Sequence, residues 1–104
     1  MSALANPLRG ETSFRIAGQD HVLRPTFENL VAAEAEIGSL FALVERASQG
    51  ALTLSEITSL VWHCLPQDHR PERKIVGAAI LAFGLAKAMG PVRAILAQAL
   101  QGEL

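Results

Sequence analysis

Hydrophobic positions along the chain change their period once. From Glu11 they alternate, with Phe14 and Ile16 pointing one way and Ser13 and Arg15 the other. Gly18-Gln19-Asp20 has turn chemistry, since glycine accepts positive φ without steric cost, and a second short strand follows over residues 21–24. Pairing Ala17 with Asp20 sets Ile16 opposite His21 and Phe14 opposite Leu23. Phe14, Ile16 and Leu23 then share one face, and Arg15, Val22 and Arg24 the other, giving a β-hairpin with one apolar side. Alone it is marginal, so helices must cover that side. Pro25 has no N–H for a ladder and predicts an edge position or an early end to the second strand.

Beyond Pro25 the period is helical. Thr26 can cap a first helix with Phe27, Leu30, Val31 and Ile37 inward, ended by Gly38. Ser39 can cap a second, with Leu40, Val44 and Ala47 inward, and Gln49-Gly50 breaks it. Thr53 and Glu56 form a capping-box pair for a third helix, which turns Leu54, Ile57, Val61, Cys64 and Leu65 inward and His63 away. After a loop over residues 66–70, Pro71 fits a first helical position, and a fourth helix runs to Met89, apolar nearly all round. Ile75, Ala79, Ala82 and Ala86 form one stripe of it, with Ile80 and Leu81 roughly opposite. Gly90-Pro91 reads as a stop and restart, and the last helix presents Val92, Ile95, Leu96, Ala99 and Leu100. The expected fold class is α+β, mainly helical: an N-terminal β-hairpin followed by about five helices. Residues 1–10, with Asn6, Pro7 and Gly10, are expected to be a flexible lead-in to a single hairpin-plus-helices domain over residues 11–104.

Composition narrows the classes of function. In 104 residues, half are hydrophobic and 18% charged, which suits a folded chain and leaves no room for a second core. The net charge of −1, with acids and bases interspersed, gives no electrostatic ground for nucleic acid or an anionic membrane as partner. One cysteine, Cys64, excludes an intrachain disulfide and suits a reducing compartment. The first nine residues lack the basic start and apolar run of a signal peptide, and the longest apolar run, of about 12 residues from Ile75, is short of the roughly 20 that a spanning helix needs. A soluble, cytoplasmic protein is expected.

Candidate chemistry is sparse. Trp62-His63-Cys64 and His69 supply too few ligands for structural zinc, and a Cys64–His63 nucleophilic pair lacks an orienting third group. The basic run from His69 to Lys74, at a helix start, could suit a phosphate, but it is read as a solvated loop whose charges flank an apolar helix. The helix–loop–helix over residues 53–89 lacks the polar and basic residues of a DNA-reading helix. No catalytic residue, metal or cofactor is therefore expected. Glu34 interrupts the apolar face of the first helix, either as an edge carboxylate that reaches solvent or pairs with a base such as Arg46, or as a capped or partner-contacting acid. Trp62 lies about 140° around its helix from Ile57, on the side of Ser55 and Ser59, where a tryptophan either anchors an interface or covers a neighbouring element. The candidate partner-binding residues are Trp62, Ile80, Leu81 and Glu34.

One stretch carries a resemblance. Ala5-Asn6-Pro7-Leu8-Arg9-Gly10-Glu11 precedes the alternating strand, which turns at Gly18 and returns as Val22-Leu23-Arg24-Pro25-Thr26-Phe27. Asn29-Leu30-Val31-Ala32-Ala33-Glu34 and Ile37-Gly38-Ser39-Leu40 follow. Over residues 5–65 this resembles the small tail-assembly proteins of alphaproteobacterial gene transfer agents and related phage tails, described as tail assembly chaperones or tail tube-associated proteins. Pro25 stands where that pattern usually has an apolar residue or Thr. The resemblance implies a non-enzymatic tail assembly chaperone that binds the tape-measure protein, tail tube subunits or both, with possible homo-oligomers. The alternative is a minor structural tail protein retained in the particle. An apolar helical face is the expected means of binding. On this reading Trp62→Ala weakens binding and leaves the fold intact.

Overall fold

The computed structural model describes residues 12–102, so the lead-in expected over residues 1–10 lies outside the described residues. Strands β1 (Thr12–Ile16) and β2 (Gln19–Leu23) form an antiparallel hairpin, followed by helices α1 (Phe27–Ile37), α2 (Leu40–Ser48), α3 (Leu54–Cys64), α4 (Arg73–Phe83) and α5 (Leu85–Gln101). A single 3-10 turn, Gln67–His69, lies between α3 and α4. The fold class is the α+β, mainly helical one that the hydrophobic periods predict.

The hairpin turns one residue earlier than expected, which shifts the pairing register by two. Ile16 pairs with Gln19, Phe14 with His21 and Thr12 with Leu23. Ala17 and Gly18 make the turn, at φ 51° and 82°, the paired left-handed geometry whose twist matches that of the flanking strands. A shift of two residues preserves the alternation, so Phe14, Ile16 and Leu23 still form the buried face. β2 ends at Leu23, before Pro25. Arg24 then ties the hairpin to the helices, its N–H donating to the Cys64 carbonyl at 2.8 Å and its carbonyl accepting from Asn29 Nδ2 at 2.9 Å.

The predicted caps of the first three helices are in place. Thr26 accepts from the Asn29 N–H, Ser39 from those of Phe41 and Ala42, and Thr53 and Glu56 close a full capping box. α3 is the central helix, packed on α1, α4 and α5, while β1 lies against α4 and α5. Phe14 meets Phe83 edge-on, with ring centroids 5.3 Å apart.

Several inward faces differ from expectation. α1 buries Asn29 and Ala33 and leaves Phe27 82% exposed and Val31 outside, because the hydrogen bond to Arg24 fixes Asn29 inward and sets the helix phase. α2 buries Leu43 and Ala47, and Leu40 and Val44 are half-buried beside them. In α3, His63 is buried rather than turned away, since this helix has neighbours on several sides. α4 buries Val76 and Ile80 and exposes Ile75 and Leu81, so Ile80 and Leu81 do not share one outer side as expected.

The largest correction concerns the last two helices. The break lies at Gly84, not at Gly90-Pro91, and α5 runs through Pro91. Gly84 adopts φ 105° and ψ 130°, a region that L side chains avoid, and the two helix axes bend there by 115°. Its N–H donates to the Ile80 carbonyl and its carbonyl accepts from Ala88, so one residue ends α4 and opens α5. Pro91 is tolerated because Gly90 before it has no Cβ to meet the proline ring. Burial of Ala88, Val92, Ile95 and Leu96 offsets the lost hydrogen bond. Among the described residues no single helix is long and apolar enough to cross a membrane.

Gly77 within α4 and Gly84 at its end make opposite predictions. Gly84→Ala forces a side chain into the strained region and should destabilise the fold by about 1–3 kcal/mol. Gly77 is helical, and a Cβ there would meet Thr58 Oγ1 at an ordinary 3.6 Å, so Gly77→Ala should stabilise by about 1 kcal/mol. Urea unfolding of both variants checks the signs.

Candidate functional site

Two features stand out: a polar cluster joining three helices and an apolar groove between two. The cluster centres on Glu36, in the last turn of α1. Its carboxylate accepts from Ser59 Oγ at 3.0 Å and lies 2.8 Å from His63 Nε2, one turn apart on α3. Arg73, the first residue of α4, reaches both carboxylate oxygens, with Nη2 at 2.6 Å from Oε1. A two-pronged guanidinium–carboxylate pair of this kind is fixed in orientation as well as attractive.

Trp62 completes the cluster. The Arg70 and Arg73 guanidinium carbons lie 4.3 and 4.2 Å from the indole ring, a range in which cation–π attraction operates. Its Nε1–H donates to the Pro71 carbonyl at 2.9 Å. Arg70 Nη2 donates to the carbonyls of His63 and Leu65, at the end of α3 where helical carbonyls lack partners. A second ion pair, Arg46–Glu56, joins α2 to the capping box of α3.

These groups hold the fold and are poorly placed for chemistry. The Ser59 hydroxyl donates to a carboxylate rather than to the imidazole that would activate it. Cys64 is fully buried, and burial pushes its thiol up to about 12, which leaves no thiolate near neutrality. Among the described residues no three His, Cys, Asp or Glu side chains converge as a metal site would require.

The groove runs between α2 and α5. Three adjoining depressions of about 240, 270 and 100 Å³ share Ala47 and Arg93 at one junction and Val44, Leu96 and Leu100 at the other. One end is formed by Leu52, Leu54, Leu85 and Met89, and the other by Phe41, Leu100 and Glu34. From Leu85 to Leu100 on α5 it extends about 22 Å at 1.5 Å per residue. Phe41, 75% exposed, and Leu100, 50% exposed, stand on its rim. Its described walls are lined mainly by apolar side chains.

The residues singled out from the sequence do not assemble into one surface. Trp62 is half-buried in the arginine stack, Ile80 is fully buried in the core, and only Leu81, 57% exposed, lies on an outer face of α4. Ile80 is thus corrected from exposed helix surface to core, the 115° bend having brought its face of α4 inside. Glu34 accepts from the Leu40 N–H at 3.0 Å and lines one end of the groove, and the pairing with Arg46 is not formed because Arg46 pairs with Glu56. The groove was missed because a break was expected at Gly90-Pro91. Leu85, Met89, Leu96 and Leu100, with Arg93 among them, form one stripe of spacing four, four, three and four when read across that dipeptide.

Two predictions follow from the cluster. Trp62→Ala removes a stacked ring and a hydrogen bond, so it should lower stability by about 2–4 kcal/mol in urea unfolding, against the sequence expectation of an intact fold. Arg73 beside Glu36 and Arg46 beside Glu56 hold both carboxyls down from the ordinary 4.5 to about 2. A depressed carboxyl stabilises the fold fully above its unfolded value and progressively less as protons bind, so stability should fall as pH drops from 4.5 toward 2. Glu36→Gln and Glu56→Gln should each flatten that decline, read as midpoint denaturant concentration against pH.

Comparison with known families gives the context for the groove. A family model described as phage tail tube protein, GTA-gp10, matches residues 9–102. No curated protein and no solved structure gives a significant match. With nearly its whole length matched, the chain belongs to the phage tail tube protein family GTA-gp10.

Proposed function

We propose that this protein is a minor structural component of a phage-type tail, such as a gene transfer agent carries, and that it works by binding other tail proteins. Family membership carries the proposal, and the open groove between α2 and α5 supports it with a surface suited to binding. Tail tube subunits, the tape-measure protein and further copies of the chain are the partners considered. A net charge of −1 argues against nucleic acid. Residence in the bacterial cytoplasm during assembly belongs to the same proposal.

One observation favours a second reading, in which the protein is a tail assembly chaperone that leaves before completion. Among the described residues the only sheet is a hairpin of two five-residue strands, which offers little edge for a β-ring continuous across subunits. In either role the protein acts without catalysis.

Quantitative mass spectrometry of purified particles separates the two. The structural role predicts a fixed copy number relative to tube subunits. A chaperone would be absent from finished particles yet co-purify with the tape-measure protein on co-expression. Absence from particles together with no association with any tail protein would overturn both.

A further inference from the structure

We propose that the groove between α2 and α5 receives an amphipathic helix of another tail protein, about four turns long, with a carboxylate set against Arg93. This rests on the reading above that the protein works by binding tail components, and it specifies the chemistry of the bound segment.

The form of the occupant follows from the walls. Both are helices, which present no open row of strand N–H and C=O groups, so an added strand would find no ladder to join. A helix brings its own backbone bonds satisfied and needs only an apolar stripe. The groove length of about 22 Å corresponds to about 15 helical residues.

The charge follows from Arg93. It lines the two larger depressions, is exposed, and makes no hydrogen bond or ion pair among the described residues. Its neighbours in the groove wall include Ala47, Met89 and Leu96. An apolar helix laid across it would strip water from an unpaired guanidinium, which is strongly unfavourable unless the helix supplies an acid. The groove's own acid, Glu34, lies at the far end and is engaged with the Leu40 N–H. No Asp or Glu among the described residues lines the two depressions that hold Arg93, so the negative charge is assigned to the partner.

The test places the photo-crosslinking residue benzoylphenylalanine at Ala97 in the groove, and at Ala78 on the exposed side of α4 as control, in cells assembling tails. Mass spectrometry then identifies the captured segment. The expected product is a tail-protein segment with apolar residues at helical spacing and an Asp or Glu on the stripe, captured from position 97 and not from 78. Arg93→Glu should cut its yield at least tenfold, in line with the worth of a charge-assisted hydrogen bond. Replacing the captured acid by Arg should restore the yield in that variant. Arg93→Gln should fall between, and unchanged thermal unfolding of both variants assigns the losses to binding. Capture of a segment lacking an acid, of an extended segment or of a second copy of this chain, or a yield indifferent to residue 93, would overturn the inference. If position 97 captures nothing while the protein still co-purifies with tail components, the inference fails and the binding role stands. Loss of all such association would sink both.

Discussion

The backbone at Gly84 governs the architecture more than any other single constraint. Residues 73–101 are helical throughout except at this position, and a continuous helix of that length would extend beyond anything able to cover it. A conformation open to glycine, at φ 105°, turns the chain by 115° instead. The turn sets α5 against α2 and β1 while α4 keeps its place on α3. Phe83, just before the bend, meets Phe14 of the hairpin. Closure of the core and existence of the groove thus have one origin, since the helix that completes the first also forms a wall of the second.

What the bend folds together, charged groups align. α3 is buried on several sides yet carries Ser59 and His63 into the interior, where both would be costly without partners. Glu36 from α1 satisfies them, and Arg73 from α4 balances its charge. Three helices thereby meet at a single carboxylate. Because the pairing depends on direction as well as distance, it fixes how α1 and α4 sit on α3, a specificity that packing of Ala33, Val61 and Val76 alone would leave loose.

Local signals in the sequence translated well into structure, and long-range ones did not. Thr26, Ser39 and the Thr53–Glu56 box act within one turn of chain, and each marks a helix start as read. The hairpin kept its faces despite a different register, because alternation is blind to a shift of two. Gly90-Pro91 misled because each residue alone opposes a helix, whereas together the missing Cβ of one relieves the ring of the other. Gly84 gave no warning, lying in an apolar run without proline or turn residues beside it. Glu36, His63 and Arg73 are far apart in sequence, so only the tertiary fold unites them.

The position of the lone tryptophan decides what optical measurements can see. Trp62, the only tryptophan of the chain, is held among two guanidinium groups, a carbonyl and the His63 ring, at the junction of α3 and α4. None of the residues lining the groove belongs to that junction. Intrinsic emission of this protein is therefore a gauge of its fold, responsive to acid and denaturant through the loss of the stacked arginines. A partner entering the groove would go unannounced in the same signal, and a titration followed by native fluorescence would mistake a bound state for an empty one.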